Sequence, residues 1–150
     1  MQAGNFIQST DALNGTYFES ALIFLTECND AGAVGFIVNR PFGRSLHELE
    51  AYKHSTPFPL YEGGPVGGEQ LFLIHRRPDL IEGGERVAAG IYFGGNMEQA
   101  VAAINNGSLG KQDLKMLIGY CGWDAGEIEA EIAEGSWKVV AGGWEDIVNH

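Results

Sequence analysis

Leu117-Ile118-Gly119-Tyr120-Cys121-Gly122-Trp123-Asp124-Ala125-Gly126-Glu127-Ile128-Glu129-Ala130-Glu131 is the stretch whose reading decides the fold. The apolar run from Leu114 to Ile118 predicts a strand, and Gly119 and Gly122 then bracket Tyr120 and Cys121 in what reads as a turn. A helix is expected to follow. Asp124 is placed to cap it, and Glu127, three residues on, can accept from the N–H of the cap. Ile128 and Ile132 share the apolar face at i, i+4, Glu127, Glu131 and Glu134 fall on the wetter side, and Gly135 provides the stop. A strand-to-helix turn carrying an aromatic pair is also a place where α/β proteins present a site.

Working outward, the N-terminal half reads as strands and turns. Gly4 to Ser9 is a first strand, and Ser20 to Cys28 a second, whose continuous apolar core Ala21-Leu22-Ile23-Phe24-Leu25 predicts cover on both faces. The turn signal Asn29-Asp30-Ala31-Gly32 should make a hairpin of this strand with Ala33 to Asn39. Pro41 ends that strand, because proline has no N–H for the ladder. Ser45-Leu46-His47-Glu48 has capping-box spacing and opens a short helix to about Tyr52, and a loop runs from Lys53 to Pro59.

Farther on, Leu60 to Glu62 leads into Gly63-Gly64-Pro65-Val66-Gly67-Gly68, and Gln70 to His75 and Val87 to Phe93 read as strands. Asn96 caps a helix with Met97, Ala100, Val101 and Ile104 on one face, Gln99 at the capping-box position and Gly107 at its end. Trp137 to Ala141 is a last strand, and Trp144 to His150 has no pattern that assigns it a structure. No repeat or linker divides the chain, so one domain is expected over residues 1–150.

Composition narrows the function classes. Glycine at 22 residues with 45% hydrophobic residues indicates many tight turns around an ordinary core rather than disorder. Nine basic against twenty acidic residues leave a formal charge of −11, which repels phosphate backbones and disfavours direct nucleic-acid binding. Two cysteines, Cys28 and Cys121, are too few for a disulfide framework and lack metal-ligand spacing. With no signal-peptide pattern and no apolar run of spanning length, a cytoplasmic location away from membranes is expected.

Several residue sets carry possible chemistry, each with a plainer alternative. Asn39-Arg40 at a strand end can clamp a carboxylate or phosphate, or close a turn and pair with a surface acid. Gly63-Gly64-Pro65 can present backbone N–H groups to an anion, or simply allow tight chain reversal; it lacks the Gly-Lys-Ser/Thr of a phosphate-binding loop. His75 can act as an acid or base near neutrality, alone or as partner to Cys121, or can be a histidine satisfied by backbone. His47-Glu48-Leu49-Glu50-Ala51 has alanine where a zinc-binding helix needs its second histidine, so neither metal nor cofactor is expected.

Three stretches together resemble one family. Gly119-Tyr120-x-Gly122-Trp123-x-Ala125-Gly126-x-Ile128-Glu129 is similar to the late signature of the bacterial AlgH/YqgE family. Gly35-Phe36-Ile37-Val38-Asn39-Arg40-Pro41 looks like an earlier segment of it, and Glu62-Gly63-Gly64-Pro65-Val66, with Leu71 to His75, looks like its middle segment. The resemblance implies an α/β (α+β) fold: a bifurcated, mostly antiparallel sheet folded into a pseudo-barrel with flanking helices. Asp124 and Glu127 make the last helix start more acidic than the family pattern, which weakens any anion site there.

These readings converge on a non-enzymatic binding or regulatory protein. Its expected pocket is built from Asn39, Arg40, Gly63, Gly64, Pro65, His75, Tyr120, Gly122, Trp123 and Glu129. The ligand is an unidentified small molecule or a protein partner. The family's association with control of exopolysaccharide synthesis adds transcriptional regulation, which the acidic charge directs through a protein partner. A hydrolase or transferase using His75 with Cys121 or a carboxylate is the alternative.

Overall fold

The computed structural model describes residues 1–150. Its organising element is the strand at the centre of the opening stretch, which is longer than the sequence predicts. β9 runs without a break from Leu114 to Asp124, through Gly119, Tyr120 and Gly122. The two glycines do not make a turn. Gly119 takes φ +77° within the strand, and its carbonyl side packs so closely on the Gly63-Gly64 segment that a Cβ on Gly119 would lie 2.4 Å from Gly64 O.

That kink divides β9 between two sets of partners. Its first half lies between β5 (Pro59–Glu62), parallel, and β6 (Val66–His75), antiparallel, with Met116 paired to both Leu60 and Leu73. The second half pairs with β3 (Gly32–Ile37), Cys121 lying opposite Gly35 and Trp123 opposite Ala33. Every other pairing in the sheet is antiparallel. β4 (Pro41–Ser45) adds to β5, and the remaining order is β10 (Trp137–Val140), β1 (Phe6–Ser9), β2 (Leu22–Asn29), β3, β9, β6, β8 (Ile91–Phe93) and β7 (Glu85–Ala88). The path curls back on itself: an added Cβ on Gly4, just before β1, would lie 3.0 Å from Val87 O of β7. The fold is α+β, a large, bifurcated, mostly antiparallel sheet with three helices.

Alternation along β9 distributes its side chains among three cores. Leu114, Met116 and Ile118 pack with Leu46, Leu60, Leu73 and Ile104. Leu117 joins Phe6, Phe24, Phe36 and Ile74, whereas Cys121 and Trp123 pack with Ile7, Ile23, Leu25, Ile128 and Trp137. The expected two-sided burial holds at the start of β2: Ala21 just before it and Ile23, Phe24 and Leu25 within it are fully buried and Leu22 partly so, with Phe24 in a different core from Ile23 and Leu25.

Several boundaries move for local reasons. The β2–β3 hairpin forms as expected, closed by Ala31 N–H donating to Asn29 Oδ1 at 2.8 Å. β3 stops at Ile37, and Pro41 starts β4 instead of ending β3. Ser45 opens two short 3₁₀ turns, Leu46–Glu48 and Glu50–Tyr52, rather than a helix, although Glu48 does accept from Ser45 N–H at 3.0 Å. The 87–93 run is part of a hairpin, β7 and β8, turning at Gly90.

The helices follow the capping signals unevenly. In α1 (Met97–Asn105), Asn96 Oδ1 accepts from Gln99 N–H at 3.0 Å, as expected. In α2 (Glu127–Ala133), the cap is Gly126 at φ +81° rather than Asp124, because Asp124 is still in β9. Glu127 nevertheless reaches back to Asp124 N–H at 2.5 Å. The last residues form α3 (Trp144–Val148), where Asp146 accepts from Gly143 N–H at 2.8 Å and Ile147 is fully buried.

Candidate functional site

The residues between β3 and β4 put Asn39 and Arg40 on the same rim with different tasks. Asn39 is a brace: Nδ2 donates to Ser20 O at 2.9 Å and Oδ1 accepts from Leu22 N–H at 3.0 Å, holding Ser20 at φ +55°. Arg40 is the centre of a polar cluster. Its guanidinium lies 3.6 Å from Glu62 Oε2, donates to Glu19 O at 3.2 Å, and stands over the Tyr17 ring at 4.8 Å. Tyr17 hydroxyl donates to the same Glu62 oxygen at 2.5 Å. Burial and the Glu62 carboxylate raise the Tyr17 phenol above its ordinary range.

Arg40 is therefore neutralised within the protein and is not poised as an open clamp. Cys121 lies beneath this cluster, its Sγ donating to Gly63 O at 3.4 Å. Burial pushes its thiol up to about 12, against the smaller opposing effect of Arg40.

The glycine-rich segment serves packing. Gly63 N–H donates to Ile118 O at 2.7 Å and its carbonyl accepts from Ile37 N–H at 2.8 Å, so it links β3 to β9 and has no N–H free for an anion. Both Gly63 and Gly64 are buried, with exposed Pro65 after them.

His75 is fully buried and both ring nitrogens are engaged: Nδ1 accepts from Arg77 N–H and Nε2 meets Gly94 O, each at 3.1 Å. Burial lowers its pKa, favouring the neutral ring that these partners require. It lies opposite Leu114, whereas Cys121 is seven residues along β9, roughly 20 Å of strand at about 3.3 Å per residue. A His75–Cys121 dyad does not exist.

The remaining predicted residues spread over both lobes. Tyr120 packs edge-on to Phe72 at 5.9 Å, and Gly122 is exposed opposite Val34. Trp123 is buried in another core and donates to Glu131 Oε1 at 3.1 Å, with Trp137 doing the same at 2.9 Å. Glu131, expected on the wet face, points inward. Glu129 is exposed and close enough to Cys28 to help raise that thiol, after burial. The structure thus brings Arg40, Glu62, Gly63 and Cys121 together, and Gly64 with Tyr120, but leaves His75 apart from both; Trp123 shares the core of Cys121 and turns its indole N–H to Glu131. No concavity is lined by residues of all three stretches.

Concavities lie elsewhere on the surface. An apolar groove of about 620 Å³ runs between the 3₁₀ turns and β6, lined by Phe42, Leu49, Tyr52, Leu71, Met97 and Ile118, with Glu69 at its edge. A smaller cleft of about 210 Å³ lies between β5 and α3, lined by Phe58, Tyr61, Lys111, Lys115, Val148 and His150 among others. Neither was predicted. The signals were present in Met97 at the start of an amphipathic helix and Lys115 inside an otherwise apolar strand. No group of three or more His, Cys, Asp or Glu side chains is arranged to hold a metal ion.

Comparison with known proteins agrees with this architecture. The profile of a family described as DUF179, AlgH-like, matches residues 6–150. The chain belongs to the AlgH-like family. A UPF0301 protein of Chlorobium luteolum (strain DSM 273 / BCRC 81028 / 2530) is 36% identical over 137 residues, covering 91% of this chain and 72% of the relative. One from Marinomonas sp. (strain MWYL1) is 34% identical over 142 residues, covering 90% and 74%. Among solved structures, the AlgH protein of Pseudomonas aeruginosa aligns over 98% of this chain and 80% of its own, with a TM-score of 0.77 and 22% identity. Protein DIP2367 of Corynebacterium diphtheriae aligns over 99% and 80%, with a TM-score of 0.80 and 16% identity. At those identities the structural likeness establishes the AlgH-like fold.

Proposed function

We propose that this AlgH-like chain is a binding protein with a regulatory role rather than an enzyme, and that its ligand is a small apolar molecule held in the groove between the 3₁₀ turns and β6. The observation that carries the reading is the groove itself. Its volume of about 620 Å³ falls in the usual range for small-molecule sites, roughly 300–1,000 Å³. Its lining is aliphatic and aromatic, and Phe42, Leu49, Tyr52, Leu71 and Met97 are all partly buried against the adjoining core. Glu69 at the edge and the −11 charge favour a ligand whose polar end is neutral or cationic.

The geometry argues against the enzyme alternative, since His75 and Cys121 each already have backbone partners and stand far apart. Any transcriptional effect would pass through a protein partner, because a charge of −11 opposes approach to DNA. Native mass spectrometry of protein purified from its own cells tests the groove. A stoichiometric adduct that disappears in Met97→Arg, with the unfolding midpoint unchanged, supports it. A bare wild-type mass, or an adduct indifferent to Met97→Arg, defeats it.

A further inference from the structure

We propose that Lys115 and the cleft above it form a second site, one that binds a short-chain 2-oxo acid, with the Lys115 amine attacking the carbonyl carbon and Lys111 receiving the carboxylate. This site is independent of the groove and shares no residue with it.

β9 contains an anomaly. Leu114, Met116, Leu117 and Ile118 are apolar core residues, and Lys115 among them is only 3% exposed. No carboxylate pairs with it. Its Nζ donates to Val38 O at 2.5 Å and lies 3.7 Å from the centroid of the Tyr61 ring. An ammonium has three N–H groups to satisfy, whereas a neutral amine has two and a lone pair. One carbonyl oxygen therefore suits the neutral form better. The ring face favours the cation, but the gain of about 2 kcal/mol from such contacts is smaller than the cost of burying a charge without a counter-ion. Burial accordingly lowers the Lys115 pKa to about 7. Desolvated lysines of this kind are nucleophiles at neutral pH.

The cleft supplies what such a nucleophile needs. It is apolar along Phe58, Leu114 and Val148, carries exposed Lys111 at its mouth, and no Asp or Glu side chain lines it. Tyr61 hydroxyl donates to the main-chain oxygen of His150, which also lines the cleft. In a chain with more than twice as many acids as bases, two lysines in one cleft that no Asp or Glu side chain lines favour an anionic ligand. At about 210 Å³ it takes a small one. The step balances without any oxidant or reductant: a C–N bond forms, the carbonyl oxygen takes up the two amine hydrogens and leaves as water, and an imine remains.

The test uses the intact chain with pyruvate, followed by borohydride to reduce any imine to a stable secondary amine, and peptide mapping of the four lysines. Lys115 is expected to carry roughly ten times or more the label of exposed Lys53 and Lys138, since at about pH 7.5 an ordinary lysine is neutral in only about one molecule per thousand. Label on the exposed lysines with Lys115 unmodified overturns the proposal. Lys111→Gln, a surface change, should reduce pyruvate labelling of Lys115 several-fold and leave labelling by uncharged propanal unchanged. If both probes lose labelling alike, or neither does, Lys111 does not receive the carboxylate and the site as drawn is lost.

Discussion

Trp123 and Trp137 donate their indole N–H groups to a single carboxylate oxygen, Glu131 Oε1, while their rings meet nearly edge to face with centroids 6.2 Å apart. One tryptophan comes from β9 and the other from β10, at opposite ends of one arm of the sheet, and Glu131 comes from α2. The carboxylate thus fastens the helix to both. Glu131→Leu leaves two indole donors unpaired next to a buried core, which should cost about 2–4 kcal/mol in urea unfolding followed by tryptophan fluorescence. Glu131→Gln keeps an acceptor and should cost about half as much. If Leu is no worse than Gln, water satisfies the indoles and the carboxylate does not anchor the helix.

Within Gly63-Gly64-Pro65-Val66-Gly67-Gly68 the glycines are not equivalent. A Cβ on Gly64 would lie 2.1 Å from the Tyr120 carbonyl, backbone that cannot yield without moving β9, whereas a Cβ on Gly68 meets nothing within 4 Å. Gly64→Ala should therefore cost about 3 kcal/mol or more, or give no folded protein. Gly68→Ala should stay within about 0.5 kcal/mol of wild type. Comparable midpoints for the two variants would show that the Gly64 crossing has slack that the packing denies.

The thiols give a third test, bearing on the nucleophile reading. Cys121 is buried with its pKa pushed up to about 12, and Cys28 is half-buried on the hairpin with its own pKa raised by burial and then by Glu129. A chromogenic disulfide reagent at about pH 8 should titrate Cys28 slowly in the native protein and reach Cys121 only on unfolding. Fast native reaction at Cys121, absent in Cys121→Ala, would restore an enzymatic role for it.

Elements that local chemistry specifies are legible in the sequence, and those that depend on distant partners are not. The β2–β3 hairpin, the Asn96 cap and the stop at Gly135 were legible because each is encoded within a few residues. The length of β9 was not, since Gly119 and Gly122 carry the composition of a turn; Gly122 is held in the strand by β3, whose Gly35 lies some 85 positions before its partner Cys121, and Gly119 lies between Ile118 and Tyr120, which pair with β6. The same non-local pairing explains the candidate site. The three motifs belong to one family and converge on β9, at Gly63, Gly64 and Cys121, but Arg40 stays on the polar rim with Glu62 while Trp123 is buried with its indole on Glu131. In sequence Lys115 is one residue within a strand, and its burial without a counter-ion is visible only once Tyr61 and α3 cover it.

That burial makes Lys115 testable through stability as well as chemistry. Its pKa is about 7 in the folded chain and about 10.4 when unfolded, so between those values the unfolded state binds one more proton than the native state. Unfolding free energy must then rise with pH across this window, by about 1.4 kcal/mol per unit from this group alone, as the native amine sheds the charge that burial penalises. Below about pH 7 both states are protonated and the penalty is constant and at its largest. Lys115→Met has nearly the same length and carries no charge, so it should be more stable than wild type near pH 6, with the advantage shrinking as pH increases toward about 10. Subtracting the two urea-unfolding series removes the pH dependence that both proteins share. A difference that does not change from pH 7 to 9 would mean that Lys115 stays charged in the fold, and would remove the neutral amine on which its reactivity depends.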